Sequence, residues 1–511
     1  MKKIIAFFVL ALHTVSCPAI AAPSDFAQQI FMQKGEGAVS RTPMDKLSDT
    51  VSVLDFGAVM SPTIDQSDKV NAAILAVFKD GGGIVTIPKG NIKMSNILIK
   101  KGVKLVGSGD IATTVVVTDR YHAAITMDAY AGLESMRIYY PEQVTSGVPI
   151  PYPPAITGGP SYVTIRNIKF QGAYDGVVMG GKGIGVGSVL IDNLTGFPLH
   201  YGIKFDNNTD NVRINNVHFN HNVYGDYASS LLAWVYQHGV ALTLLRADSP
   251  QVDSFLAFGY SEGIRLDTGI PAGAANMAKF NNIQLDICRT PLNILGHQDG
   301  IFFTNSIFTT GGANYHGVQG GVNNLAGGQT ATRGVISFVN SSFRHYASSI
   351  AIIRSSVVFT NVQFDDYNVM AGNHPALKLD FPDVDLALIG SSVDGRNRPT
   401  TGGILSTAYK ASVRIIGTTF SGMTSYDGLL SKARLSLKGN AYSTGFTWNG
   451  VGGVTESGGE ISTYQSPSKF GTIGPFQQGD RFSNAMKAVG APKGWSRVAG
   501  SVETWVSEGN L

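Results

Sequence analysis

At 511 residues the chain is well beyond the usual single-domain length of roughly 150 residues, yet 61 Gly, 43% hydrophobic and only 15% charged residues exclude a string of charged helical domains. Its formal net charge of +3, from 39 basic and 36 acidic residues, falls to about +1 once Lys2 and Lys3 are set aside, which excludes a basic surface built for nucleic acid. Of the two cysteines, Cys17 lies close to the N-terminus, so a processed chain keeps Cys288 alone and has no intrachain disulfide.

The N-terminus reads Met1-Lys2-Lys3, an apolar run over 4–12, then Ala19-Ile20-Ala21. This is a basic start, a short apolar core and a small-residue cleavage site, so residues 1–21 are expected to be a signal peptide that sends the protein to the periplasm or medium. Thr14-Val15-Ser16 before Cys17 makes a poor lipoprotein box, and no later run reaches the roughly 18 apolar residues of a membrane span. Residues 22–50 read as a leader or arm. Val51-Ser52-Val53-Leu54-Asp55-Phe56-Gly57-Ala58 alternates as a strand would, and Val70, Ala73, Ile74, Val77 and Phe78 fall at helical spacing over 66–79, with Asp65 or Ser67 as cap. Asp80-Gly81-Gly82-Gly83 stops that helix, and strands follow at 84–88 and 103–109.

From about residue 130 one step recurs, an Asn between apolar residues. Its copies include Ile165-Arg166-Asn167-Ile168, Ile191-Asp192-Asn193-Leu194, Ile214-Asn215-Asn216-Val217, Phe280-Asn281-Asn282-Ile283, Phe303-Thr304-Asn305, Phe338-Val339-Asn340 and Phe359-Thr360-Asn361. Gly390, Gly417 and Gly439 hold the place later, and Ser254 holds it once. Spacings of roughly 21–35 residues are those of a solenoid. Asn and Gly are the residues that take a left-handed backbone at low cost, so each step marks a sharp bend between two strands. The pattern predicts an all-β chain, a right-handed single-stranded parallel β-helix over 51–450. Three long intervals, 139–160, the stretch around 229–238 and 311–332, read as loops. Residues 451–475 read as a linker. Gly479-Asp480, Gly494-Trp495 and Thr504-Trp505 mark a small β module over 476–511.

The stretch Gly37-Ala38-Val39-Ser40-Arg41-Thr42 through Val51-Ser52-Val53-Leu54-Asp55-Phe56-Gly57-Ala58, with Gly81-Gly82-Gly83-Ile84-Val85-Thr86-Ile87-Pro88-Lys89-Gly90, resembles the opening of the phage tailspike and pectate-lyase-like β-helix family. The tail is similar to a short module at the end of such proteins. The resemblance implies a helix capping the solenoid, a polysaccharide partner and, as in tailspikes, a homotrimer. Phage tailspikes carry no signal peptide, so this chain reads as an exported bacterial member.

Glycoside hydrolysis needs two carboxylates, about 5–5.5 Å apart for retention or ~6.5–9.5 Å for inversion. Counting from the Asn step places Asp286, Thr309, Arg344, Asp365 and Asp394 in one column, with His345 and Asp366 one place on. Asp365 and Asp394 are thus a candidate catalytic pair, with Arg344 and His345 as substrate contacts. A second set is Glu262, Arg265 and Asp267, with Asp286 and Asp299 on later coils. Glu262 and Asp299 each precede a Gly-Ile step and are expected to share a column, as is Asp175. Trp234 and Tyr236 offer sugar-stacking rings. Each set can equally be a solvated turn ladder or strand-start acids. Asp380, Asp383 and Asp385 suit calcium weakly, and no other cofactor is expected. Gly296-His297-Gln298-Asp299-Gly300 lacks the second Gly of the polygalacturonase motif, so no role is carried over. These features imply a polysaccharide depolymerase, hydrolase or lyase, with a glycan-binding or assembly protein and a C5-epimerase as alternatives.

Overall fold

The computed structural model describes residues 29–442 except 160, 182–183, 271, 327–333, 368–373, 396–404, 422–425, 431–432 and 439; beyond 442 it describes the strands between 448 and 507 and residue 509. The expected signal peptide and Gly439 lie outside the described residues. Two compact units are present, Met1–Val51 and Ser52–Leu511. In the first, Phe31–Met32 pairs antiparallel with Ser40–Arg41, and a short helix, Pro43–Leu47, starts on a reciprocal cap between Thr42 and Asp45.

In the second unit the expected strand over 51–58 is corrected. After Val51–Ser52 the chain turns into a 3-10 helix, Val53–Phe56, that ends on left-handed Gly57. Ser52 and Asp55 cap each other there, and this local pairing wins over the alternation. The expected helix forms over Ser67–Lys79 and buries Val70, Ala73, Ile74 and Val77 against the strands Gly83–Ile87, Ile97–Ile99 and Val103–Gly107. Phe78 is 40% exposed and lies outside that stripe. Asp65 accepts from the Ser67 backbone N–H at the helix start.

From Gly83 onward the chain winds as a right-handed parallel β-helix. Each coil lays down a first face, a left-handed step, a second face, a corner, and a third face. Val189–Gly196 carries the first two faces of one coil around Asn193, and Tyr201–Asp206 carries its third. Register holds the apolar positions in line: Ile191 opposite Ile214, Leu194 opposite Val217, Ile203 opposite Leu242. Every Asn read as a step has φ between 51° and 57°, as do Gly390 and Gly417, and Ser254 stands at 53°. Ser135, at 64°, is an earlier step that carries no Asn signature. The step side chains bond along the axis: Asn193 donates to Asn167 at 2.9 Å and Asn361 to Asn340 at 2.8 Å. Among the described residues the third face is a twelve-stranded sheet from Ile97–Ile99 to Leu405–Thr407.

Inside, Phe280, Phe303, Phe338 and Phe359 stack at centroid spacings of 4.6, 5.0 and 5.1 Å. The three long intervals all leave from the corner between second and third faces, and they touch. Ala228 N–H bonds Thr145 O, Gly147 N–H bonds Ser230 Oγ, and Gly311 N–H bonds the Tyr236 hydroxyl. The stretch over 229–238, expected as a loop, is a helix, Ser229–His238. In the tail Arg481–Asn484, Gly494–Arg497 and Trp505–Ser507 pair antiparallel, while Glu460–Thr463 adds a parallel strand from the segment read as linker. No helix among the described residues is long and apolar enough to cross a membrane.

Candidate functional site

The column counted from the Asn step exists. Thr309 pairs with Arg344, Arg344 with Asp365, and Asp365 with Asp394, while Asp286 opens it opposite Phe258. Arg344 Nε lies 3.5 Å from Asp365, and His345 Nδ1 lies 2.7 Å from Asp366. These side chains are open to water: 49% exposed for Arg344 and 35% for Asp365. Pairs as exposed as this contribute about 0–1 kcal/mol to stability. Burial raises the Asp286 carboxyl, but that residue lies by Tyr315, on the other side of the corner from Glu262.

The more enclosed cluster opens the third face. Its first outward column runs Asp175, Tyr201, Val240, Glu262, Thr290, in register coil by coil. Three of these residues precede Gly: Asp175-Gly176, Tyr201-Gly202 and Glu262-Gly263. A Cβ on any of the three glycines would strike a carbonyl oxygen of the next coil, so the chain must be bare just past each of these three side chains. The next outward column runs Val178, Lys204, Thr243, Arg265, Asn293.

His200, at the corner, donates its backbone N–H to the Tyr174 carbonyl and places Nδ1 2.9 Å from Asp175. Its ring centroid lies 4.0 Å from that of Tyr201, and the Lys204 ammonium sits 4.5 Å from the Tyr201 ring centroid. Arg265 reaches Glu262 with one nitrogen and Asp267 with another, each at 3.5 Å. Burial pushes the Tyr201 phenol up; the Arg265 charge pulls it down, and Asp175 and Glu262 push it up again. The Glu262 and Asp175 side chains are only 17% and 16% exposed, which separates this cluster from the ladder. Glu262 Oε2 and Thr243 Oγ1, on adjacent coils, are buried without a hydrogen-bond partner among the described residues. Seven further side-chain atoms among the described residues are buried without a hydrogen-bond partner in the same way, so what sets this face apart is that these two oxygens lie on adjacent coils beside Arg265.

Helix Ser229–His238 walls this face. Leu231, Leu232, Val235 and Tyr236 bury inward, which leaves Trp234 and His238 outward with rings 4.7 Å apart. The Trp234 ring lies 6.1 Å from Tyr174 and 6.4 Å from His200. The end of the helix also sets Glu262, whose N–H bonds Gly239 O.

Two expectations are corrected. Asp299 does not share the Glu262 column: it precedes a first-face strand, Ile301–Thr304, while Glu262 opens a third-face strand, because a Gly-Ile start occurs on either face. Tyr236 is fully buried, its hydroxyl taken by Gly311 N–H, and presents no face to a sugar. His297 is likewise buried and bonded to Asp299 O and Ser355 Oγ. Asp380 is held by Arg354 and Lys378, and no group of three or more His, Cys, Asp or Glu among the described residues is placed to hold a metal ion. His200, Tyr201, Tyr174 and Thr243 escaped the sequence reading. Aligning the X-Gly-Φ starts at 175, 201 and 262 (Φ apolar) would have found the column.

No protein-family model matches the chain. A tailspike protein mutant of E. coli bacteriophage HK620, solved in complex with a pentasaccharide, superposes with a TM-score of 0.56 at 14% identity, over 82% of this chain and 82% of that one. A second mutant complex of that tailspike gives 0.55 at 13% identity, over 83% of each chain. These likenesses show the fold. In sequence, the chain is 34% identical over 83 residues to "Alginate lyase 7" of Azotobacter vinelandii, which is 15% of this chain and 10% of that protein. The chain thus spans about a tenth of the length of the curated relative it matches.

Proposed function

We propose that this chain is an exported polysaccharide depolymerase that cleaves its substrate by hydrolysis on the third face, with Glu262 as proton donor. The observation that carries this is the enclosed Glu262 carboxyl, one oxygen held by Arg265 and the other buried without a partner among the described residues. Asp267, at the far end of the same guanidinium, is the second carboxylate and the base that activates water. Sharing Arg265 keeps the two carboxyl groups within about 10 Å, a range that includes the separations of both retaining and inverting pairs. Arg265 orients both. Trp234 offers a flat face to a sugar ring, and His200, held by Asp175, reaches a hydroxyl. The signal-like N-terminus supports action on a bacterial surface or extracellular glycan, and the likeness to a tailspike solved with a pentasaccharide supports a polysaccharide partner.

A second reading rests on Tyr201. A phenol flanked by His200 and Lys204 suits proton abstraction beside a uronate carboxylate, the chemistry of elimination or C5 epimerisation, and the short likeness to an alginate lyase favours it. A reducing-end assay on a panel of capsular and exopolysaccharides separates the readings. New ends without the ultraviolet absorbance of an unsaturated uronate support hydrolysis; new ends with it support elimination. Binding without new ends would contradict hydrolysis and elimination; a change in the uronate proton NMR signals would then support epimerisation, and none would contradict both readings.

A further inference from the structure

The corner between the third face and the next first face has its own left-handed column: Gly102, Tyr130, Tyr162 and Ser188, with Ser249 and Met277 further along. Most coils turn here with positive φ, which Gly meets at least cost, although Asn211 in the same register does not and Met277 takes φ 47°. Two adjacent coils instead carry tyrosine, at φ 58° and 63°. A bulky side chain in this conformation is a backbone outlier, of the sort that marks functional positions. Burial does not account for them, since Tyr130 is 53% and Tyr162 52% exposed. Their rings lie parallel, 4.7 Å apart with planes at 11°, and Lys101 Nζ stands 5.4 Å from the Tyr130 ring. One exposed stack returns less than two bulky left-handed residues cost. The next coil puts the short Ser188 in the same place, tied to Asp210 at 2.7 Å, so among the described residues no aromatic ring follows Tyr162 in the column.

We infer that the Tyr130–Tyr162 pair is a second, non-catalytic glycan-binding platform, on which the C–H face of a pyranose in a polysaccharide chain stacks against Tyr162. The platform sits at the far corner of the third face and four coils from Glu262 along the axis, so a long polymer held at Glu262 has a second hold there. It rests on the reading of a glycan partner and not on the chemistry assigned to Glu262.

The test is affinity electrophoresis of the full chain through gels containing sodium alginate, dextran or xanthan. The variant is Tyr130→Gly with Tyr162→Gly, which relieves the left-handed strain. At least one polymer should retard the wild type. The double variant should lose about tenfold in retardation while its unfolding temperature stays level or rises. Glu262→Gln should keep the retardation, so loss of catalysis and loss of the platform are read separately. Retardation by none of the three, retention of binding in the double variant, or a fall in its unfolding temperature with binding unchanged would each overturn the inference.

Discussion

Asn216 shows what a single residue must do in this chain. Its φ is 52°, and its amide donates to Asn193 at 3.3 Å. A left-handed backbone costs an ordinary residue about 1–2 kcal/mol. Asn216→Val is therefore expected to destabilise by at least about 1–2 kcal/mol, and Asn216→Gly by much less, as read from denaturant midpoints; equal effects would contradict the step assignment. The steps were legible in sequence because one residue type solves one backbone problem. His221 was not legible, since its state depends on distant partners. Burial, then the His316 charge, pull it down to about 4, and Nε2 lies 2.9 Å from the Tyr315 hydroxyl, with Phe258 and Phe197 packed on its ring. The unfolded chain takes up this proton near the ordinary 6.5. The folded chain resists until about 4, so stability present above pH ~6.5 is lost as pH falls toward 4. His221→Gln should flatten the decline of unfolding temperature over that window. An unchanged slope would show that His221 does not titrate this way.

At the scale of elements, stacking of like residues replaces disulfides. Phe338 lies between Phe303 and Phe359 at 5.0 and 5.1 Å and is fully buried. Phe338→Ala should cost about 3–5 kcal/mol by equilibrium unfolding, whereas a cost below about 1 kcal/mol would mean the stack relaxes around the loss. The phenylalanines could be aligned from sequence because each flanks a step. Helix Ser229–His238 was hidden by its setting. A long interval in a strand repeat reads as a loop, yet Leu231, Leu232, Val235 and Tyr236 carry a helical stripe that buries Tyr236 and turns Trp234 outward. Glu262 and Asp299 were joined by a local Gly-Ile likeness, and the winding of the coil sends them to different faces.

For the whole molecule, a parallel solenoid turns sequence period into spatial column, so the Arg344, Asp365, Asp394 column could be counted without a structure. Which column is enclosed could not. Enclosure comes from three insertions that leave the same corner and pack together, and they stand beside the Glu262 column. That contrast sets the most direct test. Reducing-end release would be measured side by side for the wild type, Glu262→Gln, Asp267→Asn and the pair Asp365→Ala with Asp394→Ala, each checked for folding by circular dichroism. Glu262→Gln and Asp267→Asn should each lose about 10²–10⁴-fold in rate, with the ladder pair within a few-fold of wild type. Full activity in Glu262→Gln, with loss in the ladder pair, would contradict the account and move the site to the ladder.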